Sequence, residues 1–160
     1  PGVRSAFLHT PGKRQTQRVL AALRATSVMS SPFTDCVVSQ WIRDGVADNM
    51  IKAVRRESSA RLEIAREQLD THNIIAADGA FHLWLKLPKQ SEWSPVELAA
   101  HLRSMRVSAV ASAAFSTDNN PPNAIRLCYG GPITRDEWRQ RIIQAADVIE
   151  HPYLVHTNTH

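Results

Sequence analysis

The sequence predicts an α+β fold, and three observations carry that prediction. Phe81, Leu83, Leu85 and Leu87 alternate with His82, Trp84 and Lys86, which is the period of a strand with one buried face. Ser94-Pro95-Val96-Glu97 and Thr134-Arg135-Asp136-Glu137 each set a hydroxyl residue three positions before a glutamate, the pattern that opens a helix. From Ala80 onward the order is strand, helix, strand, strand, helix, and the second connection is short enough to join antiparallel neighbours. The expected small domain is a three-stranded, mainly antiparallel sheet covered by helices.

The elements follow in order. Val3 to His9 mixes small and β-prone residues and reads as a strand, giving an α/β-like opening. Thr10-Pro11 is an N-cap and first-turn pair for a helix through Val19, Leu20 and Leu23. After Ser30-Ser31-Pro32, the apolar residues Val38, Ile42, Val46, Met50, Val54 and Leu62 recur at multiples of four, predicting one or two long helices from about Asp35 to Leu69. Gly45 is the expected break or bend. Lys52, Arg55, Arg56, Arg61 and Arg66 alternate with acids along the second part, a mixed-sign pattern that predicts a solvated face. The capping box at Ser94 opens a helix through Leu98 and Leu102, and Val107 to Ser112 is the next strand. Asp118 to Asn123 forms a polar loop, and Ile125, Leu127 and Tyr129 alternate with Arg126 and Cys128 in the third strand of the domain. Gly130-Gly131-Pro132 stops it, and Trp138, Ile142, Ala145 and Ile149 form the stripe of a last helix. The domain boundaries expected are 1–43, 44–79 for a long connecting helix, 80–152 for the small domain and 153–160 for a tail.

Composition narrows the function classes. With 43% hydrophobic and 21% charged residues in 160, the chain is neither disordered nor collagenous. Nineteen Lys and Arg against fifteen Asp and Glu leave a net charge of +4, scattered along the chain and too weak to argue for nucleic-acid binding. Cys36 and Cys128 are the only cysteines, without zinc or disulfide spacing, and are expected to act as small core residues in a reducing cytoplasm. No apolar run is long enough for a membrane span, and no signal-peptide pattern is present. The chain opens at Pro1 on what reads as a strand without lead-in, which suggests a piece of a longer protein.

No nucleophile elbow, zinc-protease helix, phosphate loop or dinucleotide fingerprint is present, and the seven histidines show no ligand spacing, so no metal is expected. Two arginines remain. Arg126 interrupts an apolar strand on the face opposite Ile125, Leu127 and Tyr129. It is either an edge residue whose head reaches water or a guanidinium held to take a carboxylate in two parallel hydrogen bonds. Arg4 carries the same ambiguity, an exposed cation or an anion clamp. His82 and Trp84 share the face opposite the leucines, either buried against another lobe or turned to a ligand.

Four segments, in order, resemble a known family: Pro1-Gly2-Val3-Arg4, the long helix with Asp44-Gly45 and Arg55-Arg56, Phe81-His82-Leu83-Trp84-Leu85-Lys86-Leu87-Pro88, and Ile125-Arg126-Leu127-Cys128-Tyr129. Together they are similar to the C-terminal part of a fold type I aminotransferase dependent on pyridoxal 5'-phosphate (PLP). The resemblance is closest to the effector domains of MocR regulators in the GntR superfamily and to 2-aminoadipate-type aminotransferases. It covers the chain to about Pro152 and implies that residues 1–43 end the large PLP domain and that 80–152 form the small C-terminal domain. It implies that Arg4 contacts the cofactor phosphate and that Arg126 grips the α-carboxylate of an amino acid substrate or effector. The Schiff-base lysine would lie upstream of Pro1, so no catalytic residue is expected within the chain, which alone should be inactive. The parent would be a homodimer. The regulator branch is the favoured expectation, with DNA contacted only through a separate N-terminal domain, and a transaminating enzyme is the alternative. The chain departs from the family at Ala111-Ser112, where Pro-Gly is usual ahead of Phe115, at Ser58 for a customary tyrosine, and at Ala6 for a glycine.

Overall fold

The computed structural model describes Val3, residues 5–69 and residues 73–152. The chain divides into two compact units, residues 1–52 and 53–160. The boundary falls inside a helix of 23 residues, so each unit is described by itself.

The first unit is helical among its described residues. Residues 5–9 hold no strand, because a strand needs a hydrogen-bonded neighbour and this unit supplies only helices. Helix α1 spans Lys13–Thr26, two residues later than Thr10-Pro11 suggests: the extended Gly12 is the N-cap, and Thr10 pairs its hydroxyl with that of Thr16 at 2.6 Å. Helix α2 spans Pro32–Arg43, with Pro32 in the first turn and the Ser31 hydroxyl accepting from the Thr34 amide. The Asp35 carboxylate accepts from Ser30 and Ser5. Gly45 then takes a φ of +71, a left-handed step that stops α2 before α3, Val46–Gln68. A Cβ there would meet nothing within 4 Å, so the dihedral and not crowding calls for glycine.

The second unit holds the sheet and the core. It has four antiparallel strands in the order β1-β2-β4-β3: β1 Asn73–Ile75, β2 His82–Lys86, β3 Ser108–Ala111 and β4 Ala124–Cys128. Strand β1 is the addition to the expected three. It lies in the stretch expected to continue the connecting helix, but α3 ends at Gln68 and Ile74 pairs with Leu85 at the sheet edge. Helix α4 spans Pro95–Ser104 and α5 spans Arg135–Glu150, and both begin with complete capping boxes, as the sequence predicts.

Alternation gives the sheet two unlike faces. Leu83, Leu85, Ala109, Ile125 and Leu127 are fully buried and join Leu62 and Ala65 of α3, Leu98 and Leu102 of α4, and Trp138 and Ile142 of α5 in one core. The two core tryptophans keep their polar atoms satisfied, Trp138 Nε1 donating to the Arg61 carbonyl at 2.9 Å and Trp93 Nε1 to the Val148 carbonyl at 3.0 Å. The opposite face carries His82, Trp84, Val110, Arg126 and Cys128, all half-buried.

Arg61 departs from the solvated helix face expected of it. It is 7% exposed, and its guanidinium donates to Glu57, to the carbonyls of Tyr129 at 2.8 Å and Gly131 at 3.2 Å, and to that of Ile133 at 2.6 Å. One buried cation thus satisfies three backbone acceptors between β4 and α5 and ties α3 to that turn.

Candidate functional site: an uncompensated arginine on the open sheet face

Arg126 stands on β4, an inner strand, with Trp84 of β2 on one side and Val110 of β3 on the other. An edge position is thereby excluded. Its flanks Ile125 and Leu127 are anchored in the core, so the backbone under the guanidinium is fixed by burial on the far face.

The head group is cationic and uncompensated. Among the described residues Arg126 has neither a hydrogen bond nor an ion pair, and its Nε is buried without a partner. A buried polar hydrogen without an acceptor costs about 1–3 kcal/mol, so a native chain retains one only where something offsets it. The ring of Phe115 lies over the guanidinium, its centroid 4.3 Å from Cζ, and Trp84 meets Phe115 edge-on at 5.3 Å. Phe115 arrives on a short 3-10 turn, Ser112–Phe115, directly after β3. Ala111 holds a φ of −65, the value proline would fix, and the Ser112 hydroxyl donates to the Pro122 carbonyl at 2.5 Å to close the loop. Ala111-Ser112 therefore forms an ordered turn.

His82 lies diagonally from Arg126 on the same face. Its pKa is lowered from the ordinary 6.5, first by desolvation and then by the Arg126 charge. Behind it, Tyr129 is fully buried, its hydroxyl donating to the His82 carbonyl at 3.3 Å, and burial pushes its pKa up to about 12.

The structure brings Arg126, Trp84 and His82 together on one face, as the alternation predicts. Arg4 lies outside the described residues. Cys36 is exposed and Cys128 half-buried, so neither is the core residue expected. Cys128 borders a shallow cleft of about 200 Å³ with Arg106, Ser108, Gly131, Trp138 and Arg141, and Arg126 is not part of it. Among the described residues no cluster of three metal-ligating side chains occurs, and no helix is long and apolar enough to cross a membrane. The residue sequence reasoning missed is Phe115 as a partner of Arg126. The two are eleven positions apart, and only the loop fold joins them.

The small antiparallel sheet with its helices is an aminotransferase-like fold. The chain aligns with LysN, an α-aminoadipate aminotransferase from Thermus thermophilus solved with N-(5'-phosphopyridoxyl)-L-leucine, at a TM-score of 0.78 and 19% identity, over 97% of this chain and 40% of that one. An archaeal alanine:glyoxylate aminotransferase aligns at 0.70 and 16% identity, over 89% and 36%. The chain thus spans less than half of either enzyme. No family model and no curated protein matches the sequence.

Proposed function

We propose that the chain is part of a PLP-dependent aminotransferase of the 2-aminoadipate type, and that its share of the work is to bind and orient the α-carboxylate of the amino acid through Arg126. The observation that carries this reading is the guanidinium itself: half-buried on an inner strand, without an acidic partner among the described residues, and rigidly backed. A group of that kind matches a planar carboxylate. It also fits a site where PLP, when bound, withdraws electrons from the amino acid's Cα while the protein supplies position and charge. In this reading residues 1–43 belong to the large cofactor domain, with Arg4 toward the phosphate, 44–79 link the two domains, and 80–152 form the small domain of a homodimeric parent.

Both aligned structures are enzymes by name, and they support the transaminase over the MocR regulator that the strand pattern favours. Arg126 holds the carboxylate, Phe115 covers the guanidinium with Trp84 edge-on against its ring, and desolvation and the Arg126 charge disfavour the protonated form of His82 beside it.

The test is a titration of the chain with L-leucine and, in parallel, with leucinamide, followed through the amide signals of β2 and β4. Leucine should bind weakly and leucinamide far more weakly, and Arg126→Ala should lower leucine affinity about tenfold to a hundredfold, the worth of a charge-assisted pair. Equal affinity for leucine in the variant would overturn the assignment.

A further inference from the structure

The cation–π contact at Arg126 does more than cover an apolar ring. A guanidinium is planar, and its hydrogen-bond donors all lie in that plane. Cζ lies over the Phe115 ring, 4.3 Å from its centroid. The Nε atom is shut off from solvent and has no partner. The two terminal nitrogens hold no hydrogen bond among the described residues, yet they are not among the buried unpaired atoms, so they are the part of the group open to solvent. Trp84, the cross-strand neighbour of Arg126, meets the Phe115 ring edge-on at an interplanar angle of 83°. Phe115 is itself 46% exposed, an apolar side chain held out of the core on a turn that the Ser112 hydroxyl closes.

We propose that Phe115 is a positioning residue: by its ring contact with Arg126 it holds the guanidinium in one orientation and leaves only its end, with both terminal nitrogens, to receive a ligand carboxylate. The carboxylate then binds end-on and coplanar with the guanidinium, and an approach along the Nε edge is closed. This inference rests on Arg126 being the carboxylate site, and it adds which atoms bind and what holds them in place. Stacking also removes water from one face of the cation, which strengthens the pair formed at its end.

The experiment uses the 160-residue chain labelled with 15N, with Phe115→Ala, Phe115→Leu and Phe115→Tyr beside the wild type. Two quantities are read: the hydrogen-exchange rate of the Arg126 Nε–H without ligand, and the affinity for L-leucine. Phe115→Ala should speed Nε–H exchange at least about tenfold and weaken leucine binding about tenfold, and Phe115→Tyr should restore both. Phe115→Leu, which keeps bulk and loses the ring, should protect Nε–H while binding leucine less well than wild type, and it guards against a general loss of fold in the alanine variant. Unchanged exchange and unchanged affinity in Phe115→Ala would overturn the proposal. The two readings fail separately: leucine binding that depends on Arg126 but not on Phe115 rejects the positioning role alone. Binding indifferent to Arg126 rejects the carboxylate site, and the ligand-directed role of Phe115 with it.

Discussion

In sequence Arg61 is one of several basic residues on a mixed-sign helix and Arg126 the basic residue of an apolar strand, and the fold reverses what each suggests. Arg61 donates to Glu57 and to three carbonyls, whereas Arg126 makes none of these contacts. Arg61→Ala should therefore destabilise the second unit by about 2–4 kcal/mol, because several buried acceptors lose their donor at once; denaturant melts of the two chains measure it. Arg61→Met, which keeps the stem, should recover only the packing share of that loss. Glu57 offers a pH test of the same network. Hydrogen bonds from Arg135 and then Arg61 hold its pKa below the ordinary 4.5. A carboxyl with a depressed folded pKa adds stability that is complete above its unfolded pKa and disappears as pH falls through the folded value. Stability should thus drop as the solution is acidified below about 4.5, and Glu57→Gln should flatten that slope; the effect is small because Glu57 is partly solvated. A slope unaltered in Glu57→Gln would assign acid sensitivity to other carboxylates.

At the scale of elements, the clearest parts of the chain were those whose local chemistry and tertiary setting agree. The capping boxes at Ser94 and Thr134 and the alternation from Phe81 to Leu87 all became the elements they predict. Thr134→Ala should cost about 1 kcal/mol, read from the melting midpoint, since it frees the Glu137 amide and removes the hydroxyl's own bond to the Glu137 carboxylate, leaving only the Thr134 amide on that carboxylate. The elements that stayed hidden depend on partners far away in sequence. Asn73–Ile75 is only three residues, too short to show a period, and becomes a strand because β2 offers it a free edge. Residues 5–9 show the reverse case, β-prone residues without a described neighbour to pair with. Gly45 was legible as a break, and its positive φ explains why. Likewise Arg126 was legible as a conspicuous residue from its place in an apolar strand. Its inner-strand position and its cover by Phe115 were not, because both arise from the strand order and the β3–β4 loop.

The whole molecule is unevenly stabilised. Helices α1 and α2 hold no buried residue, and Leu20, Leu23, Phe33 and Ile42 are exposed, whereas β2, β4, α4 and α5 share a closed core. Helices of that length without a packed face are marginal in water, so amide exchange in α1 and α2 should be faster by orders of magnitude than in β2 and β4. Uniform protection across both units would show a burial of α1 and α2 that the isolated chain does not display. Against this background the open sheet face, backed by the core, carries the uncompensated guanidinium of Arg126, and the central claim is that a carboxylate neutralises it. His82 reports on that directly, because the Arg126 charge is one of the two causes that lower its pKa. The decisive measurement is the His82 pKa, followed by its ring-proton shift, without ligand and with saturating L-leucine. With Arg126 paired to the carboxylate, the pKa should rise toward the ordinary 6.5, and leucinamide should leave it in place. A His82 pKa that ignores leucine, or that moves equally with leucinamide, would contradict the account.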